Sequence, residues 1–146
     1  MMHLKLLFIP VLLCICISLE AQVSQKTSQL HTVPKDISKL HINAPSNRVE
    51  ILKTKGTRIY IEATVRLGAG SAPLLKYLTQ SGRYELEATI DAQLRELILS
   101  PKKNQKVLLI KGKECPEIVT YKIHIPESIQ FVKTLESSHQ YFIAHH

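Results

Sequence analysis

Between residues 58 and 67 apolar and polar side chains alternate without a break. Ile59, Ile61, Ala63, Val65 and Leu67 fall on one side, and Arg58, Tyr60, Glu62, Thr64 and Arg66 on the other. A helix repeats about every 3.6 residues and would scatter this pattern around its axis, whereas a strand repeats every two. The stretch therefore predicts a strand with one buried and one solvated face. The same period recurs at Leu40, Ile42 and Ala44, at Val49 and Ile51, at Tyr84, Leu86, Ala88 and Ile90, and at Val119, Tyr121, Ile123 and Ile125. Leu94 to Leu99 and Val107 to Ile110 are shorter and alternate less cleanly, as strands buried on both sides do. Turn chemistry separates these runs at Pro45-Ser46-Asn47, Lys55-Gly56-Thr57 and Pro101 to Lys106, and Pro126 ends the last strand.

One segment departs from the period of two. Gly68-Ala69-Gly70-Ser71-Ala72-Pro73 leads into Leu74, Leu75 and Leu78, which recur at helical spacing before Gly82. Proline suits a first helical turn and glycine a stop, so one short helix is predicted over 72–81. About seven strands and one helix result, and the fold class is mainly β. Connections of four to eight residues are too short for βαβ crossovers and suit sequential antiparallel pairing or winding. The expected architecture is a short β-solenoid or a β-sandwich-like stack.

The termini read differently. Lys5, with His3, precedes an apolar run from Leu6 to Leu19 that is too short to cross a bilayer, which takes about 20 helical residues. Ala21 offers a small residue for cleavage, so 1–21 reads as a signal peptide and the chain as exported. Lipidation at Cys14 or Cys16 is the alternative, although small residues do not precede either. Removal of the signal leaves Cys115 as the one cysteine, so no intramolecular disulfide braces the domain. Residues 22–36 are polar and read as a linker, 37–132 as the β-rich domain, and 133–146 as a C-terminal tail. At 146 residues the chain has the size of one domain, and its 19 Lys and Arg against 12 Asp and Glu give a formal charge of +7.

Two segments resemble a known family. Leu40-His41-Ile42-Asn43 through Val49-Glu50-Ile51, with Thr57-Arg58-Ile59-Tyr60-Ile61-Glu62-Ala63, is similar to the opening of the bacterial adhesin family of exported β-solenoid domains. Tyr121-Lys122-Ile123-His124-Ile125-Pro126-Glu127-Ser128 resembles the recurrent strand of that family, which ends in proline. The resemblance covers roughly 37–132. It implies a cell-envelope location and a right-handed, single-stranded β-solenoid, and it implies no reaction. This chain departs by carrying Pro45-Ser46-Asn47-Arg48 where the family has a glycine turn, and by ending 20 residues after Pro126, as a short or truncated member would. An uncapped end of such a stack exposes strand edges that invite self-association.

Candidate chemistry is sparse. Glu85 and Glu87 share the polar face of one strand, but acid–base work needs carboxylates with shifted pKa values, and solvated faces normally carry such charges. His41 and His124 lie on outward strand faces, and His139, His145 and His146 lie in the tail, without the converging spacing of a zinc site. Cys115 stands next to Glu114, which disfavours a thiolate, so a buried thiol or an intermolecular disulfide is expected. The loop 68–73 lacks both the third glycine of a dinucleotide fingerprint and the Gly-Lys-Ser/Thr of a P-loop. The strongest remaining signal is cationic turns: Lys53, Lys55 and Arg58, then Lys102, Lys103 and Lys106, then Lys111 and Lys113. Aligned at one end of a stack, they would attract anionic polysaccharide or other envelope components. Lysines at turns also keep strand edges soluble.

The sequence is thus read as a non-enzymatic exported domain of the cell envelope, in the periplasm, at the outer-membrane surface or outside the cell. Surface interaction, adhesion or envelope organisation is the expected role, without cofactor or specific nucleic acid. The alternative is a periplasmic binding module for a small apolar or anionic ligand. An exported hydrolase using Glu85, Glu87 or His124 is the third reading.

Overall fold

The computed structural model describes residues 22–44, 48–103 and 105–134. The signal segment with Cys14 and Cys16, the Pro45-Ser46-Asn47 turn and the histidines of the tail lie outside them. The elements run β1 (Val23–Thr32), β2 (Lys39–Ile42), β3 (Val49–Thr54), β4 (Arg58–Leu67), α1 (Ala72–Gln80), β5 (Leu86–Asp91), β6 (Glu96–Pro101), β7 (Leu109–Ile110), β8 (Lys113–Glu114), β9 (Glu117–Pro126) and β10 (Gln130–Thr134). The fold is mainly β. Two four-stranded sheets, ordered β1-β4-β9-β3 and β10-β2-β6-β5, lie over a common core, and β7 and β8 form a separate hairpin.

Of the two architectures expected, the sandwich-like stack describes the pairing. A single-stranded solenoid stacks parallel strands throughout, but here β1-β4, β4-β9 and β5-β6 are antiparallel. Parallel pairing persists in β3-β9, β2-β6 and β10-β2. Sequential pairing also fails at the Lys55-Gly56-Thr57 turn. Strands β3 and β4 are not partners, because β9 sits between them and pairs with both.

The alternation at 58–67 works as its period requires, with all five apolar residues of β4 buried and facing inward. In β9, Ile123 and Ile125 are fully buried, and Leu40, Ile42, Leu97 and Leu99 answer them from the other sheet. A second, smaller cluster joins Val65 and Leu67 to Leu75 and Leu78 of the helix and to Tyr84 and Cys115. Helix α1 matches the expected span. Ser71 caps it by accepting from the Leu74 amide, and at its far end Gly82 (φ +71°) and Arg83 donate to the carbonyls of Thr79 and Leu78 in a Schellman closure.

Among the described residues ten strands stand where about seven were expected. The largest addition is β1, inside the segment read as a polar linker. Its inward side chains are Val23, Gln25, Thr27, Gln29 and His31, so its apolar signal is nearly absent although all ten residues pair with β4. Gln29 explains how a polar residue is tolerated there. Its amide accepts from the Leu86 N–H at 2.9 Å and donates to the Leu86 carbonyl at 3.2 Å, linking the edge of one sheet to the edge strand of the other. On the opposite margin Lys53 donates to the Ile129 carbonyl and the Glu127 amide to that of Thr54. The described strands therefore run from 23 to 134, beyond the 37–132 expected of the β-rich domain. Two sequence strands also shift: Leu94 falls in the β5–β6 turn, and Ala88 and Ile90 are exposed because nothing described covers that end of edge strand β5.

Replacing Gln29 with Leu leaves the buried Leu86 amide and carbonyl without partners, which should cost about 1–3 kcal/mol. Urea unfolding with amide exchange at Leu86 checks this; an unchanged midpoint would show that the clasp carries no stability.

Candidate functional site

The strand register decides where the cationic turns lie. Thr54 of β3 is level with Pro126, and β4 begins beside it, so Lys53, Lys55 and Arg58 sit at the Pro126 end of the sheet. Lys111 and Lys113 precede Glu117, at the other end of β9. Lys102, Lys103 and Lys106 join that second end, since Lys102 lies 3.4 Å from Glu85 and the Lys106 carbonyl accepts from Arg83. The expected alignment of all three turns is therefore corrected: two share an end and the third is a strand's length away, about 30 Å. Antiparallel pairing is the reason, because it sends successive turns to opposite ends.

Between the sheets at the Glu117 end a crevice of about 310 Å³ opens, lined by Arg48, Arg83, Tyr84, Gln105, Glu117 and Tyr121 among others. Its wall is a tight polar cluster. Arg83 donates from Nε and Nη2 to the two carboxylate oxygens of Glu117, both at 2.7 Å, and the Tyr84 hydroxyl donates to Oε1 at 2.8 Å. Tyr121 donates to the Tyr84 carbonyl at 3.4 Å. Gln105 reaches the Arg83 carbonyl. A bidentate arginine–carboxylate pair fixes both groups in one plane, so the cluster ties β9 to the segment after α1.

Electrostatics follow from these contacts. Burial pushes the Glu117 carboxyl up, but the hydrogen bonds from Arg83 and Tyr84 and the nearby positive charge outweigh it and hold the group below its usual range. The hydrogen bond to Glu117 raises Arg83 in turn. Burial, reinforced by Glu117, raises Tyr84, and burial alone pushes Tyr121 up to about 12. At neutral pH the cluster is an ionised pair with two protonated phenols. Glu117 has its oxygens engaged and its proton gone, which suits a structural anchor better than a general acid.

Arg48 also lines a second crevice of about 250 Å³ together with Tyr121, Thr120 and Lys122. A third, larger groove of about 630 Å³ runs between the start of α1 and the β7–β8 hairpin and contains Lys111, Lys113 and Cys115. The first and third concavities lie at the basic end, whereas the second lies along the β3–β9–β4 sheet, where Glu50 is level with Lys122.

The other sequence candidates are dispersed. Glu85 faces Lys102, whereas Glu87 is exposed on β5. His41 Nε2 lies 3.2 Å from Glu96, on the outer face of the second sheet, and the His124 ring tilts against Tyr60 at 5.6 Å on the first. Cys115 is buried, with its thiol 3.1 Å from the Ala69 carbonyl, so a disulfide to another chain would require that seat to open. Among the described residues no three His, Cys, Asp or Glu side chains come together as metal ligands, and no helix is long and apolar enough to cross a membrane. Sequence reasoning missed Arg48, Arg83, Tyr84 and Glu117. Arg83 and Glu117 are 34 residues apart, and no local spacing signals a pair made by the fold.

Because the folded pKa of Glu117 is depressed, its stabilisation is present above the ordinary value of 4.5 and is lost as pH falls through the folded value. Glu117→Gln should therefore lower stability at pH 7 by about 2–3 kcal/mol, the scale of hydrogen bonds to charged groups. Its loss of stability on acidification below pH 4.5 should be shallower than in the parent, as measured by denaturation at stepped pH.

Compared with models of protein families, with curated proteins and with solved structures, the chain matches none.

Proposed function

We propose that this chain is a non-enzymatic, exported domain of the bacterial cell envelope, related to the adhesin family it resembles. It acts in surface interaction or envelope organisation by presenting one basic end to an anionic polysaccharide or a similar envelope component. The observation that carries this reading is the gathering of Lys102, Lys103, Lys106, Lys111 and Lys113 at the Glu117 end of the sandwich, with Arg48 beside them. Charges so grouped act together on an extended polyanion, which they attract in a salt-dependent way. The N-terminal signal pattern supports export, and the engagement of Glu117 and Glu85 with cations supports a binding role over an acid–base one.

A second reading, a module for a small anionic ligand, is favoured by the crevice at Arg48. Arg48 supplies a cation to a space suited to one small molecule.

Charge reversal separates the ends. Retention on immobilised alginate should fall at least tenfold for Lys102→Glu, Lys103→Glu and Lys106→Glu combined, and should stay near parental for Lys55→Glu with Arg58→Glu. Equal losses from both ends would mean diffuse charge and no site. Mass spectrometry of the protein recovered from expressing cells should find Gln22 as the first residue, and an intact Met1 would overturn export.

A further inference from the structure

The groove between α1 and the β7–β8 hairpin has a chemistry of its own. Its lining is aliphatic at Leu74 and Ile110, beside the buried Cys115, and none of the described residues that line it is aromatic. Gly70 packs against both apolar residues: with φ +116°, it brings the backbone so close that an added Cβ would lie 3.0 Å from Ile110 and 3.4 Å from Leu74. Cys115 holds both walls, its thiol on the Ala69 carbonyl at 3.1 Å and its amide on that of Leu108 at 2.8 Å. The rim is cationic. Lys111 and Lys113 flank Gly112 in a two-residue turn whose central φ angles are +51° and +76°, a type I′ geometry that projects both lysines into solvent. Glu114 also lines the rim, leaving two cations against one anion.

We infer that this groove binds a single-chain anionic amphiphile, a medium- or long-chain carboxylate taken up as a monomer. Its unbranched chain lies along Leu74 and Ile110 and its headgroup pairs with Lys111 and Lys113. An aliphatic groove whose described lining has no aromatic ring suits a flexible alkyl chain better than stacked rings, and a volume of about 630 Å³ falls in the range of small-molecule sites. Charge complementarity at one end of an apolar slot selects an amphiphile over a plain hydrocarbon or a plain anion. This goes beyond the polysaccharide reading, with which it shares only Lys111 and Lys113.

Calorimetric titration of the full chain with octanoate and decanoate as monomers, beside 1-octanol and 1-decanol, tests it. One saturating site is expected. Affinity should rise on the order of tenfold from octanoate to decanoate, as burial of two methylenes requires. Lys111→Glu with Lys113→Glu should weaken decanoate at least tenfold and leave 1-decanol unchanged. Ile110→Glu should abolish both, while Leu109→Glu, on the exposed hairpin face, should not. Decanoate should also slow alkylation of Cys115, read at that residue by peptide mapping, so the assignment does not depend on the Ile110 variant folding. Binding without chain-length dependence, loss of alcohol and carboxylate together in the lysine variant, or uptake only from vesicles would overturn the inference. None of these readouts moves if alginate retention alone fails.

Discussion

Strand β9 is the member on which the rest of the structure leans. Its backbone pairs with β3 on one edge and β4 on the other, so both its N–H and C=O groups and its inward side chains are committed. One row shows the effect. Ile51, Ile123, Ile61 and Gln29 stand level across four strands, and where the row reaches the margin its last member is an amide that hands the load to the backbone of Leu86. Three isoleucines exclude water, and the fourth position closes the side. The same strand opens at Glu117, so the most central element of the core is also the one that anchors Arg83 and Tyr84 at the crevice.

Where one face of a strand is buried, the sequence is legible. At β4 and β9 the two-residue period reports the buried face directly, and α1 was marked at both ends by residues with a backbone reason to be there, Pro73 and Gly82. Legibility fails where burial is partial or polar. The inward face of β1 is Gln, Thr, Gln and His after its first residue, so no apolar alternation distinguishes it from a linker. At β5 the reverse holds: Ala88 and Ile90 keep the period yet stay exposed, because the pattern cannot say whether a second sheet extends far enough to cover them. Pairing order was hidden as well. A three-residue turn between two strands suggests a hairpin, and nothing local in 55–57 says that a strand beginning only at Glu117 will separate them.

The site was less legible than the fold, for a related reason. The lysines of the turns were visible as charges, but their grouping depends on which way each strand runs, a property of register and not of composition. Arg83, Tyr84 and Glu117 become a unit only once Schellman closure of α1 aims residues 83 and 84 at the start of β9. Cys115 shows the opposite case. Its burial was expected from the chemistry of its neighbours, while its place as the hinge between two groove walls comes from the fold alone.

The vacancy that β9 fills has a consequence for how the chain is assembled in time. Until residues 117–126 are available, β3 lacks the strand it pairs with and β4 has one edge unpaired, so both expose backbone groups to any extended segment that comes by. The insertion joins parts of the sequence 50 or more residues apart, which makes closure a late, non-local event paid in loop entropy. A nascent or truncated chain therefore meets its greatest hazard of adopting a foreign strand just before completion. The order of the N-terminal strands is a property that the C-terminal third confers on them.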